Sequence, residues 1–167
     1  MRLTGFEWRT RSGAQFPETA SETGGRKLEV SVVFTTLQGT LAALQTADEL
    51  ARDLGAQIRI LLTQVVPYPL PLASCPVFLP FTERRLHALA SQAAVPVRAH
   101  VYLCRDSRQA LLEALEPESL VVIGGNKRWW PTREESLARL LRSQGHQVIL
   151  VVATKEETTK LLPNSSH

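Results

Sequence analysis

Apolar positions along the chain fall into two alternating patterns. One is the short unbroken run expected of a strand covered on both faces. It occurs in SLVVI (119–123), in VILVV (148–152) and at the centre, Val32-Val33-Phe34, of LEVSVVFT (28–35); QIRILLTQVV (57–66) reads as a further strand, and VRAHVYLC (97–104) is a partly alternating fifth. The other is a helical stripe. Leu37, Leu41, Leu44, Ala47, Ala51 and Leu54 predict a helix over 37–54 with one buried face, leaving Asp48, Glu49, Arg52 and Asp53 mostly outside it. Leu86, Leu89 and Ala90 mark a short helix over 82–93. Leu111, Leu112 and Leu115 mark another, closed by Pro117, and Leu137, Leu140 and Leu141 a fourth.

Punctuation between these segments agrees with them. Gly55 and Gly145 are helix-stop signals. Asp106 is placed to cap the third helix, with Gln109 three residues on. Thr132 is placed to cap the fourth, with Glu135 as its reciprocal partner. Gly124-Gly125 is expected to end the fourth strand in a tight turn, because glycine accepts positive φ. The order is βαβαβαβαβ, which predicts an α/β fold: a parallel sheet between two helical layers. In such sheets ligands bind outside the carboxyl ends of strands, so the loop after Ile123 is the first candidate site.

Domain organisation follows from what surrounds this alternation. Residues 1–26 are polar and aperiodic apart from Phe6, Trp8 and Phe16, and are expected to form a mobile tail. One α/β domain is expected over 27–154, and a frayed tail over 155–167. The stretch 67–81 carries five prolines with apolar residues between them. It cannot be a helix or a central strand. It reads as an ordered flap packed on the body, or as an exposed patch for a partner.

Composition narrows the functions. The 167 residues, 44% hydrophobic and 21% charged, suffice for one domain with a real core. A formal net charge of +3 is too weak to imply nucleic acid by itself. No apolar run approaches the ~20 residues of a membrane span, and the first residues lack a signal-peptide core. A cytoplasmic, membrane-free protein is expected. Cys75 and Cys104 make neither a disulfide framework nor a zinc signature. His87, His100, His146 and His167 lack metal-ligand spacing. His100 reads as a core or edge histidine, His146 as a helix-end residue, and Cys104 as a buried inert thiol. P-loop, dinucleotide, HExxH and GxSxG patterns are all missing, so no catalytic residue and no metal site is expected.

Three phrases then resemble the universal stress protein family: QTADELARDLGAQIRILLTQVV as its first helix and second strand, SLVVIGG as its fourth strand, and GHQVILVVA as its last. The resemblance covers about 28–153. It implies a five-stranded parallel sheet of order 3-2-1-4-5. It also implies homodimers paired through the last strand, here Val148, Ile149, Leu150 and Val151. In ATP-binding members a glycine-rich signature follows the fourth strand. This chain departs from it, reading NKRWWPTREES after Gly124-Gly125, with Glu134 and Glu135 about where the family has Gly-Ser. Thr35-Thr36 also replaces the family's acidic residue at the end of the first strand. Both departures argue against tight ATP binding, and no cofactor is expected.

The candidate crevice is therefore Thr35, Thr36, Val66, Gly124, Gly125, Asn126, Lys127, Arg128 and Thr132. Within it, Asn126 to Trp130 is the most unusual run. Two bases beside two indoles can bind phosphate and stack on bases, and can equally form a protein–protein hot spot. Alternatively, one indole plugs the crevice. Trp129 and Trp130 are assigned to an interaction surface for an unknown protein partner. The expected function is a non-enzymatic, homodimeric stress-protein-like interaction module. Its rivals are an ATP- or AMP-binding protein or weak ATPase using Gly124–Trp130, and a single-stranded nucleic-acid accessory protein.

Overall fold

The computed structural model describes residues 4–10, 28–72, 79–126 and 132–153, with backbone alone for 4–10, 79–80, 82–83 and 126. The elements are β1 (Thr4–Thr10), β2 (Glu29–Val33), α1 (Leu37–Leu54), β3 (Gln57–Val65), α2 (Leu79–Ala90), β4 (Val97–Cys104), α3 (Ser107–Ala114), β5 (Leu120–Asn126), α4 (Arg133–Ser143) and β6 (Gln147–Ala153). One six-stranded sheet has the order β1-β4-β3-β2-β5-β6. Its five parallel strands are those the apolar runs predict, in the order 3-2-1-4-5 when counted from β2.

The helices make two layers. α1 and α2 cover one face, where Ala43, Leu44, Ala47, Leu86 and Leu89 pack on Val30, Val32, Ile58, Ile60 and Val101. On the other face Leu111 and Leu115 of the α3 segment, with Ala138 and Leu141 of α4, pack on Val33, Leu61, Val121 and Ile123. The arrangement is a Rossmann-like three-layer sandwich.

The caps form largely as the sequence implies. Gly55 ends α1 in the left-handed region at φ 62, and Gly145 sits at φ 89 after α4. Asp106 accepts from the amides of Arg108 and Gln109, and Thr132 from that of Glu135. The Gln109 side chain turns forward to Glu113 rather than back to the cap.

Four expectations are corrected. The helix expected over 82–93 runs from Leu79 to Ala90, so it starts inside the proline-rich stretch, with Pro80 in the first turn, where no backbone donor is needed. Residues 4–10 are a strand, not a tail: β1 runs antiparallel beside β4, with Phe6 opposite Val101 and Trp8 opposite Ala99. It closes an edge that β4 would otherwise expose. Gly124-Gly125 does not turn the chain, because β5 continues to Asn126 and pairs Gly124 with Val151 and Gly125 with Val152. The buried face of α1 is also rotated from the leucine stripe. Leu37 is 39% and Leu54 48% exposed, while Gly39, Thr40, Ala42, Ala43, Leu44, Ala47, Asp48 and Ala51 are buried. A helix seated this close to a sheet turns its smallest residues inward, so residue size outweighs hydrophobicity.

Candidate functional site

The crevice lies where β2 and β5 part, at the carboxyl ends of the strands and the N-terminus of α1. Its floor is a backbone-to-backbone contact. A Cβ on Gly124 would stand 1.6 Å from the Gly39 carbonyl oxygen, and one on Gly39 would stand 2.7 Å from the Gly124 oxygen. Both glycines have ordinary negative-φ backbone, so the close approach is what requires them.

Three threonines lock this contact. Thr35 Oγ1 donates to the Gly124 carbonyl at 2.6 Å. Thr36 caps α1, accepting from the Gly39 amide at 3.1 Å. Fully buried Thr40 receives the Thr35 amide at 3.2 Å and donates to the Thr36 carbonyl at 2.7 Å. The hydroxyls where the resemblance places a carboxylate are thus spent on backbone groups. The Thr35 hydroxyl takes up an oxygen at the end of β5.

The far wall is Glu134. Its Cβ and Cγ lie 3.4 and 3.5 Å from where Gly125 would carry a side chain. Glu134 and Glu135 also stand in the first turn of α4, where negative charge already complements the positive end of the helix. A second anion arriving there would meet two carboxylates.

The remaining predicted residues divide plainly. Val66 is fully buried, its amide bonded to the Cys104 carbonyl, so it is core rather than lining. Thr132 is half-exposed at the start of α4. Asn126 is the last residue of β5, in register with Ala153. Lys127, Arg128, Trp129 and Trp130 lie outside the described residues, as do residues 73–78 of the proline-rich stretch. Val148 to Val151 lie half-buried on β6, at the sheet edge. Among the described residues no group of three or more His, Cys, Asp or Glu could hold a metal ion, and no helix is long and apolar enough to cross a membrane.

The beginning of the proline-rich stretch is clamped by a residue the sequence analysis missed. Arg105 donates to the Val66 carbonyl at 2.5 Å and the Leu70 carbonyl at 2.6 Å, and its guanidinium lies 4.0 Å from the Tyr68 ring centroid. Asp48 was also missed. It is buried, accepts from the Ala94 and Val95 amides at 2.8 and 3.1 Å, and pairs with Arg52 at 3.1 Å. Burial, and secondarily the charge of Asp106, push the Cys104 thiol up, away from thiolate chemistry. His100 stacks on Tyr102 with centroids 6.2 Å apart, on a strand that β1 and β3 flank on its two sides.

Gly39 carried the legible signal for this site. A glycine inside a helix, matched by one inside a strand, is costly unless two backbones must meet. Comparison with protein-family models and with curated proteins yields no match.

Proposed function

We propose that this chain is a non-enzymatic interaction module of the universal stress protein kind, without a tight Mg-ATP site and homodimeric through β6. The observation that carries the reading is the closed crevice: Gly39 against Gly124, with Thr35 bonded to the Gly124 oxygen. A phosphate cradle needs free backbone donors and close approach. Here α1 occupies the approach, and Glu134 stands over Gly125.

Pairing through β6 rests on the sheet edges. β1 covers one edge of the sheet, and β6 forms the other, with Val152 47% exposed. An apolar edge strand invites a partner, and a twofold copy supplies one self-complementary patch. Isothermal titration of the full chain with Mg-ATP should show no binding at micromolar concentrations. A dissociation constant in the low micromolar range overturns the closed-crevice reading. Sedimentation at micromolar protein should show a dimer that Val152→Lys weakens. A monomer at that concentration removes the dimer but leaves the crevice argument standing.

A further inference from the structure

We propose that the sheet face carrying Arg59 and Arg98 binds a small, multiply charged phosphate compound. The two residues are direct neighbours in the β3–β4 register, and Arg9 of β1 holds the next register position beside Arg98. Three arginines therefore occupy one row across three adjacent strands, which lie about 4.8 Å apart. Like charges directly opposite each other destabilise a sheet unless something stands between them.

Among the described residues this row is neutralised only in part. Arg59 donates to the Tyr102 hydroxyl at 2.7 Å, and among the described residues its carboxylate partner, on Glu29, lies 3.6 Å away. That is longer than a charge-assisted hydrogen bond, about 2.7–2.9 Å. The Arg59 Nε is buried without an acceptor among the described residues. Arg98 is half-buried and has no hydrogen-bond or ion-pair partner among them. α3 and α4 cover the centre of this face at Val33, Leu61 and Ile123. Tyr102 is the β4 member of that apolar cluster, and Arg98 lies four residues before it on the same face of the strand. Two planar guanidinium forks side by side match the oxygens of a phosphate chain.

The row is independent of the crevice above. Arg59 and Val121 both stand opposite Ser31, and Gly124 is three residues further along β5, about 10 Å at the rise of a strand. A small phosphate compound fits better than a nucleic acid. The net charge of +3 is weak for a polymer, and among the described residues this part of the face presents the His100–Tyr102 pair, with Tyr102 buried, as its aromatic surface.

The test is thermal unfolding of the full chain with sodium tripolyphosphate, at ionic strength held constant with chloride. Parallel arms use sodium sulfate and a mixed-sequence single-stranded oligonucleotide. Tripolyphosphate should raise the midpoint and Arg98→Ala should abolish the shift, with affinity by titration falling about tenfold or more. Arg98→Lys should recover part of it. Arg139→Ala, which removes an exposed charge on α4, should leave it intact. No shift with tripolyphosphate overturns the proposal. So does an equal loss in Arg139→Ala, an equal shift with sulfate, or a shift with the oligonucleotide alone.

Discussion

Replacing Gly124 by alanine tests the contact on which the site reading depends. The added Cβ would lie 1.6 Å from the Gly39 carbonyl oxygen, 2.3 Å from its carbonyl carbon and 2.9 Å from its Cα. An ordinary contact is about 3.5 Å, so the backbones must separate by nearly 2 Å. No side chain can yield in their place, because every atom met is backbone. α1 must lift from β5, which disturbs the packing of Ala43, Leu44, Ala47 and Ala51 and stretches the Thr35–Gly124 bond. Overpacking with backbone movement costs about 1–3 kcal/mol, and this case stands at or above the upper end. For a chain of this length about 3 kcal/mol lowers the thermal midpoint by roughly 6–12 °C. Gly125→Ala is the matched control. Its Cβ would meet Glu134 Cβ at 3.4 Å, an ordinary contact, and should cost less than about 1 kcal/mol. Gly39→Ala adds a second check. In an open helix it would gain about 1 kcal/mol of propensity, yet here its Cβ meets the Gly124 oxygen at 2.7 Å and should destabilise. Circular dichroism melts and urea titrations of the three variants provide the measurement. Equal stability for Gly124→Ala and Gly125→Ala would refute the close approach, and with it the closed crevice.

Two further outcomes follow from buried groups. Asp48→Ala strands the amides of Ala94 and Val95, and should cost about 2–4 kcal/mol in urea unfolding; Asp48→Asn, which keeps one acceptor, should cost less. The Cys104 thiol is pushed up by burial and by Asp106, so the folded chain holds its proton to higher pH than the unfolded chain does. Between the two values the native state binds more protons, and its stability must fall as pH rises through the unfolded thiol's range. Cys104→Ser should flatten that alkaline decline in urea titrations between about pH 8 and 10, and an unchanged slope would contradict the assignment.

Much of this fold is written locally. α1 could be bounded residue for residue because a glycine in the left-handed region ends it, and such a cap is set by neighbours in sequence. β4 was equally legible from its own alternation and burial. What stayed hidden depended on distant partners. β1 shows an alternation in TGFEWRT, with Phe6 and Trp8 two apart, but a strand at an edge exists only through its pairing with β4, where Thr10 meets Val97 and Thr4 meets Leu103. Gly124 looked like a turn because glycine serves turns and close approaches equally well. Only the position of Gly39 across the sheet decides between them. Asp48 read as solvent-facing because polarity places a residue outside by default; the two amides that make its burial tolerable come from the loop before β4.

The five-strand order depends on apolar runs and on connections long enough to cross between layers, and none of these requires a phosphate-binding loop. Once α1 settles onto β5 at Gly39, the switch point of the sheet is filled by main chain. The Thr35 hydroxyl then has a carbonyl to serve instead of a ligand. The fold is kept because its core is elsewhere, in the two clusters on either side of β2, β3 and β5. Filling the switch point with main chain therefore takes no side chain from either cluster.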